Sequence, residues 1–167
     1  MTRWTVVPSP IDDLLVARTD RGVCGIWMTP HQGMSGPDEA WHRDDTAFDD
    51  VRAQLAAYFS GELTTFELPL DLCQGTEFQQ RVWQQLGEIG YGTTTSYGAV
   101  AASLGLVAGA SRAVGLANGR NPISVVVPCH RVIGASGDLT GYGGGLDRKR
   151  WLLAHESART TADDRLF

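Results

Sequence analysis

The segment best suited to chemistry is the apolar run 125–128 followed by Cys129 and His130. A buried run that ends in a thiol and an imidazole is typical of a strand that presents a nucleophile at its tip. A cysteine attacks only as the thiolate, so it needs a nearby base, and the base needs a partner that orients it. Adjacent side chains of a strand point to opposite sides, so His130 would act on Cys129 through a water or a turn. Glu156, which ends the apolar helical stretch 151–156, is the candidate partner of His130.

The same residues also permit a purely structural interpretation. Buried cysteines are common and most are inert, and Cys24 and Cys73 lie in strand-like apolar patterns that favour a structural role. Metal binding by these two cysteines with His31 and His42 is disfavoured, because no Cys-x-x-Cys or His-x-x-x-His spacing is present. We therefore expect neither a metal nor a cofactor. The local pattern leaves both a catalytic and a structural role open for Cys129.

A glycine-rich segment, residues 134–145, follows the Cys-His pair. It lacks the Gly-Lys-Ser/Thr ending of a phosphate loop and the spacing of a dinucleotide fingerprint. Its backbone would allow close approach of a flat ligand, with Tyr142 as a wall or a hydrogen-bond partner; the alternative is a plain flexible loop. The cationic residues 148–150 suit either phosphate contact or simple solvation, and we include Lys149 among the candidate substrate-binding residues.

Length, composition and charge restrict the class of protein. The chain has 167 residues, 43% of them hydrophobic, and three cysteines, which suits one ordinary domain or two small ones with reduced thiols in the cytoplasm. No run approaches the roughly 20 apolar residues of a membrane span, and no apolar signal segment follows the N-terminus. Residues 1–75 carry 5 Lys+Arg against 12 Asp+Glu, whereas residues 76–156 carry 7 against 5. Any DNA contact should therefore lie in the second part.

The first part of the chain has the pattern of a small antiparallel sheet with a helix. Short apolar runs between turn residues predict strands at 4–7, 14–17 and 23–28. Residues 29–46 are predicted to form a surface loop. Apolar residues at helical spacing from Phe48 to Phe59 predict a helix that Gly61 ends. The alternation over 66–72 predicts an extended segment that leads out of the domain.

We place the domain boundary at Gly75, where a helical region begins. Thr76 and Gln79 form a capping-box signature for a helix that continues to Tyr91-Gly92. Two shorter helical patterns, Tyr97 to Leu104 and Ala110 to Asn118, are joined by residues 105–109. They suit a helix-turn-helix, although two tightly packed core helices would give the same pattern. The expected organisation is a domain of residues 1–75, a domain of residues 76–157 and a polar tail, 158–167.

The expected fold class is therefore α+β. A small N-terminal antiparallel sheet with a helix precedes a mostly helical C-terminal domain, which contains a winged-helix-like helix-turn-helix.

The segment from Asn121 to Gly134, NPISVVVPCHRVIG, resembles the active-site signature of the O6-alkylguanine-DNA alkyltransferases of the bacterial type. The elements 95–98, 111–115 and 141–156 follow in that family's order. The similarity is specific from about Phe78 to Glu156, whereas the N-terminal part matches only in general character.

The resemblance implies direct-reversal DNA repair by a suicidal methyltransferase. Cys129 would accept the alkyl group of O6-alkylguanine irreversibly, once per molecule. His130 would assist through a water, Glu156 would orient His130, and Asn121 would brace the turn before the acceptor. No cofactor is implied. Whether O4-alkylthymine is also a substrate, and whether binding along DNA is cooperative, stays open; we expect a monomer in solution.

The resemblance also implies base flipping from double-stranded DNA that is bound through its minor groove. Arg112 would fill the gap left by the flipped nucleotide, and Tyr97 would press on the backbone and the base. The Gly143 N–H would reach O6, and the carbonyls of Cys129 and Val132 would read the guanine amino group. The remaining substrate-binding candidates are Tyr142 and Ser124, whose small side chain raises the question of larger alkyl groups. The remaining DNA-binding candidates are Ala110, Ser111, Ala113, Gly115 and Asn118.

Three other functions fit parts of the sequence. A non-catalytic sensor of alkylated DNA, which would recruit other repair factors, is disfavoured because such relatives lack the acceptor that Cys129 provides. A cysteine hydrolase would need a route that regenerates the thiol, and none is evident. A fused transcriptional regulator of this family would carry an N-terminal cysteine cluster, which residues 1–75 do not contain.

Overall fold

The N-terminal part forms a four-stranded sheet, and the computed structural model describes residues 1–29, 36–107 and 109–165, with side chains as far as residue 160. Strands β1 (Arg3–Val7), β2 (Leu14–Thr19) and β3 (Gly22–Met28) pair antiparallel, as predicted. A short strand β4 (His42–Arg43) adds to β1 in parallel, inside the segment predicted as loop. Two residues are too few to show a strand period, so the sequence carried no sign of β4. The order β3-β2-β1-β4 leaves β3 at an edge.

The predicted helix packs on this sheet as α1 (Asp49–Phe59). Its buried residues Val51, Leu55 and Tyr58 meet apolar side chains of β2 and β3 in the core. Gly61 takes a φ of +87° just after the helix, a conformation that favours glycine, in agreement with its predicted role as the stop. Burial of this helix face on the sheet supplies the stability that the short helix lacks on its own.

The edge of β3 does not face solvent along its whole length. The segment predicted to be extended runs beside it, where the N–H of Val23 donates to the Pro69 carbonyl and the N–H of Asp71 to the Val23 carbonyl. Further along β3, Ile26 forms a parallel bridge with Ile123 of the C-terminal part. The N-terminal sheet is thus hydrogen-bonded directly to the segment that precedes Cys129.

The C-terminal part is mostly helical, as predicted. The capping box of Thr76 and Gln79 is present and starts α2 (Glu77–Leu86). That helix is shorter than predicted: it ends before Gly87, whose N–H already bonds the carbonyls of a tight last turn, so Ile89 lies beyond it. The two short helices are α3 (Tyr97–Ser103) and α4 (Ser111–Gly119). A two-residue parallel pair, β5 (Thr95–Ser96) with β6 (Val132–Ile133), lies beside them.

The last helix, α5 (Leu146–Arg165), is longer than the sequence suggested. It continues past residue 157, so the described residues of the proposed polar tail extend the helix. None of the helices in the described ranges is long and apolar enough to cross a membrane.

The apolar run before Cys129 is not a strand, which corrects the sequence-based prediction. Residues 124–126 form a turn in which Val125 has a φ of +72°, and Cys129–Arg131 form a short 3-10 helix. A short apolar run fits any fully buried backbone, so its composition could not distinguish this buried turn from a strand.

Candidate active site

Cys129 lies at the start of the short 3-10 helix with only 4% of its surface exposed. Burial raises the pKa of its thiol, while the Asn121 side chain, the positive charge of Lys149 and the Tyr142 hydroxyl oppose that rise. The resting side chain is therefore a thiol and not a thiolate. It requires a base at the moment of reaction.

His130, the next residue, is the candidate base. It is fully buried, and its Nε2 lies 2.7 Å from Glu156 Oε2. A carboxylate can only accept, so Nε2 carries the hydrogen and Nδ1 keeps its lone pair. Nδ1 is buried without a hydrogen-bond partner among the described residues. Burial lowers the pKa of His130 in spite of the neighbouring carboxylate, so the resting imidazole is neutral and able to take a proton.

Glu156 is the centre of a buried hydrogen-bond network. Besides His130 it accepts from Arg131 Nε at 2.8 Å, from a terminal Arg131 nitrogen at 3.0 Å and from the Tyr58 hydroxyl at 2.6 Å. Against the effect of burial, the hydrogen bonds and charges of His130 and Arg131 hold the pKa of the Glu156 carboxyl well below its usual range. The pKa of Tyr58 is raised, first by burial and then by this carboxylate. Glu156 is thus a permanently charged acceptor that fixes the His130 ring.

Arg131 and Tyr58 were not predicted from the sequence as members of this network. Arg131 stands next to His130, and an arginine inside an otherwise apolar motif was the available signal. Tyr58 belongs to α1 of the N-terminal part and is 98 residues from Glu156, so only the tertiary structure brings the two together.

The network predicts how stability depends on pH. Because the folded pKa of His130 is depressed, its contribution is complete above the unfolded value of roughly 6.5 and is lost as pH falls toward the folded value. We expect the free energy of unfolding to drop by about 1 kcal/mol more between pH 7.5 and 5.5 in the native protein than in the His130→Gln variant. Urea unfolding at both pH values measures this, with the exposed-site variant His42→Asn as control. An equal drop in the native protein and His130→Gln would contradict it.

Two asparagines shape the backbone around the thiol. Asn121 donates from Nδ2 to the Val127 carbonyl at 2.8 Å and accepts from the Ile123 N–H at 3.0 Å, so it holds the turn that precedes Cys129. Asn118 was expected to contact DNA, but it is 2% exposed and donates to the Cys129 carbonyl at 3.4 Å. Asn118 thus lies on the inner face of α4, where it supports the backbone at Cys129.

Lys149 also differs from its predicted role. Phosphate contact and solvation both require exposure, whereas Lys149 is fully buried. Its Nζ donates to the Val132 carbonyl at 2.7 Å and to the Thr140 carbonyl at 2.9 Å. It joins β6 to the glycine-rich segment, and its charge lies near the thiol. The Val132 carbonyl, expected to read the substrate, thus already accepts one hydrogen bond.

A groove of about 940 Å³ is lined by Asn121 and Tyr142, whose side chains lie near the Cys129 thiol; Cys129 itself is not one of its lining residues. The predicted residues that line it are Tyr97, Ser111, Arg112, Gly115, Asn121, Tyr142 and Gly143. The lining residues that were not predicted are Trp27, Leu116, Gly119, Arg120, Thr140 and Gly141. The candidates Ala110, Ala113, Ser124 and Val132 are not among the lining residues. Of these, Ala113 is exposed on α4, and Ser124 and Val132 are buried.

Two tyrosines stand at the groove. The Tyr97 hydroxyl is 2.7 Å from the Thr140 hydroxyl, which links the start of α3 to the glycine-rich segment. The Tyr142 hydroxyl is buried and makes no hydrogen bond of normal geometry to a described residue, although the Cys129 thiol and the Ser124 hydroxyl are close enough to influence its pKa. An unpartnered buried hydroxyl is costly, so it is available to a ligand.

Metal ligands do not gather at this site. In the described part of the chain, no group of three or more His, Cys, Asp or Glu side chains could hold an ion. Cys24 is buried, Cys73 is exposed, and both are free thiols. Of the histidines considered as ligands, His42 is exposed on β4, and His31 lies outside the described residues.

The chain as a whole is similar to known proteins. The family models for the ribonuclease-like domain and the DNA binding domain of 6-O-methylguanine DNA methyltransferase match residues 2–72 and 77–158. A methylated-DNA–protein-cysteine methyltransferase of Mycolicibacterium paratuberculosis is 52% identical over 167 residues, which are 100% of this chain and 99% of the relative. A similar enzyme of Methanosarcina acetivorans is 46% identical over 93% of this chain and 98% of its own.

Two solved structures are also similar to the chain. The crystal structure of Mycobacterium tuberculosis OGT in complex with DNA has a TM-score of 0.86 and 51% identity, covering 95% of this chain and 93% of that one. The O6-methylguanine-DNA methyltransferase of Pyrococcus kodakaraensis, at 22% identity, shares the fold with a TM-score of 0.61 over 93% of this chain and 99% of its own.

Proposed function

Because the chain belongs to the 6-O-methylguanine DNA methyltransferase family, we propose that Cys129 takes the alkyl group from guanine O6 and keeps it, so that each molecule acts once. The activity is transfer of a methyl group from methylated DNA to a protein cysteine, and its role is direct-reversal DNA repair. The observation that supports Cys129 as the acceptor is the 2.7 Å hydrogen bond between His130 and Glu156 directly beside a buried thiol.

The reaction begins with removal of the thiol proton. A water between the two residues passes the proton of Cys129 Sγ to Nδ1 of His130, whose other nitrogen stays bonded to Glu156. The imidazolium that forms is stabilised by the adjacent carboxylate, which burial keeps free of competing water. A short-lived thiolate is thereby produced inside a site that disfavours it at rest.

Transfer then proceeds by displacement at the alkyl carbon. The S–C bond forms as the bond between carbon and O6 breaks, and the electron pair of the broken bond goes to the guanine. The Gly143 N–H stabilises the charge that develops on O6, and the Cys129 and Val132 carbonyls orient the guanine amino group. The proton held by His130 returns to the guanine, so the net change is a thioether and an unmodified base.

The product explains why the protein acts only once. Water regenerates the acyl-cysteine of a hydrolase because it adds to a carbonyl carbon, whereas the carbon of a thioether is saturated and has no carbonyl, so water does not regenerate Cys129. The alkylated residue is consequently permanent.

The surface of α4 presents the DNA-binding residues. Arg112 and Ala113 are exposed there, and Ala110 and Ser111 stand at the start of the helix. Small side chains, with Gly115 one turn on, let the helix backbone approach the floor of a minor groove. Guanine O6 cannot reach a protein nucleophile inside a duplex, so the base is extruded past Tyr97 into the groove of the protein.

The remaining assignments follow from this scheme. Residues 1–75 and 76–157 act as two domains of a cytoplasmic monomer that binds double-stranded DNA, and residues 158–167 follow them. Ser124 leaves space beside the acceptor for the alkyl group. Lys149 acts by holding the Val132 carbonyl and the glycine-rich segment in place rather than by touching substrate.

Mass spectrometry tests the proposal directly. On incubation with excess duplex DNA containing O6-methylguanine, we expect the protein to gain one methyl group, on the peptide that contains Cys129, and the transfer to stop at one per molecule. Cys129→Ser should gain none, and Cys73→Ser, which removes an exposed thiol, should behave as the native protein does. Repair of the DNA with an unmodified Cys129, or transfer beyond one methyl per molecule, would overturn the proposal.

A further inference from the structure

The edge strand β3 of the N-terminal sheet contacts two separate loops of the active site. The N–H of Ile26 donates to the Pro122 carbonyl at 2.8 Å, and the Ile26 carbonyl accepts from the Ser124 N–H at 3.1 Å. Two residues further on, Met28 packs so closely against Gly144 that a Cβ there would overlap its sulfur. One side of the site is therefore built on β3 and not only on the C-terminal domain.

Trp27 lies between these two contacts and is one of the residues that line the groove. Its side chain leaves the opposite face of the strand from the buried residues on either side. The indole folds back over Gly25, where any Cβ would overlap the ring. The Trp41 ring stacks on it, with centroids 5.9 Å apart and planes 21° apart. Trp27 is thus a fixed, flat, apolar wall of the groove.

The neighbours of Trp27 in the strand connect it to the place where the alkyl group must bind. The O6 substituent must approach Cys129 Sγ, and the Tyr142 hydroxyl lies near both that thiol and the Ser124 hydroxyl. Ser124 is hydrogen-bonded to Ile26, the residue before Trp27. On the other side of Trp27, Met28 supports the glycine-rich segment that carries Tyr142. Trp27 is therefore tied on both sides to loops that border the reacting carbon.

We propose that Trp27 is a specificity-determining residue that binds O6 substituents larger than methyl, aryl groups above all, against its ring. The inference rests on the proposed function. The groove of about 940 Å³ is near the upper limit of ordinary small-molecule sites, and Ser111 and the glycines that line it add little bulk. An aryl group there gains an offset or edge contact with the indole, whereas a methyl group is too small to reach it.

The test compares two substrates in one variant. Transfer rates are measured with the same duplex carrying either O6-benzylguanine or O6-methylguanine. We expect Trp27→Ala to lower the benzyl-to-methyl ratio of rates about tenfold, because it removes a contact that only the larger group makes. Trp27→Leu, which fills space without an aromatic face, should lower the ratio in the same direction, and Trp27→Phe should keep it within about threefold.

Trp4→Ala is the matched control, because Trp4 is a half-buried tryptophan of the same sheet whose ring packs on Arg43 and not in the groove. It should leave the ratio unchanged even where it lowers the melting temperature. An unchanged or increased ratio in both Trp27→Ala and Trp27→Leu would overturn the inference. If the native protein transfers neither group to Cys129, the proposed function itself fails, so the two failures are distinguishable.

Discussion

Replacing Glu156 by glutamine is expected to lower the free energy of unfolding by about 3–5 kcal/mol and the rate of methyl transfer by about 100-fold. The charge of Arg131 would remain buried without its carboxylate, which is the costly way to break an internal ion pair. The glutamine also offers His130 an amide that donates as well as accepts, so the ring is no longer held with its hydrogen on Nε2. Stability and base catalysis should therefore fall together.

Urea unfolding and single-turnover transfer measure the two effects, and two further variants separate their causes. Glu88→Gln removes an exposed carboxylate and should change neither quantity appreciably. Tyr58→Phe removes one of the hydrogen bonds to Glu156 but no charge, so we expect a loss of about 1–3 kcal/mol with most of the transfer rate retained. A Glu156→Gln protein with native stability would show that the network does not hold the fold.

The parts of the fold that the sequence predicted correctly are those set by local patterns. The three antiparallel strands, the helix before Gly61 and the capping box of Thr76 each depend on residues that lie within a few positions of one another. The two short helices of the helix-turn-helix also follow from local spacing. In these segments backbone preference and hydrophobic period agree with the final structure.

The parts that were missed depend on contacts between distant segments. Val125 and Val127 are buried in a turn, and the apolar composition of the run alone made it look like a strand. Lys149 lies between two other cationic residues, a pattern typical of an exposed surface. In the structure it is buried, and its Nζ donates to the Val132 and Thr140 carbonyls. Trp27 was predicted only as a residue of a strand. No local pattern in the sequence shows that an edge strand of the first domain borders the site in the second domain.

Some residues of the candidate site were predicted from the sequence, and others were given the wrong place. Cys129, His130 and Glu156 were candidates from their residue types and positions, and the family resemblance implied their roles; the structure brings His130 and Glu156 to 2.7 Å. Asn118 was misplaced because the helical period identifies faces of a helix but does not say which face meets the core. Burial of Asn118 against the Cys129 carbonyl settles that question.

Replacing Arg112 by alanine is expected to slow methyl transfer from duplex DNA about 30-fold and to change the reaction with free O6-benzylguanine by less than about threefold. Arg112 is exposed on α4 at the groove, and no hydrogen bond or ion pair to a described residue is found for it. A side chain that replaces the extruded base in the stack offsets about 2 kcal/mol of unstacking, which corresponds to this factor in rate. The free base needs no extrusion, so it does not use that contribution.

Arg120→Ala provides the matched control for charge. Arg120 also lines the groove and is exposed, but it stands at the opposite end of α4. Both variants lose one cation, so both should weaken the salt-dependent attraction to DNA similarly. Only Arg112→Ala should lose transfer once the duplex is saturating, because only that variant lacks the group that holds the base out. Equal losses from the duplex and the free base, or equal losses in the two variants at saturation, would mean that Arg112 contributes general attraction and not base flipping.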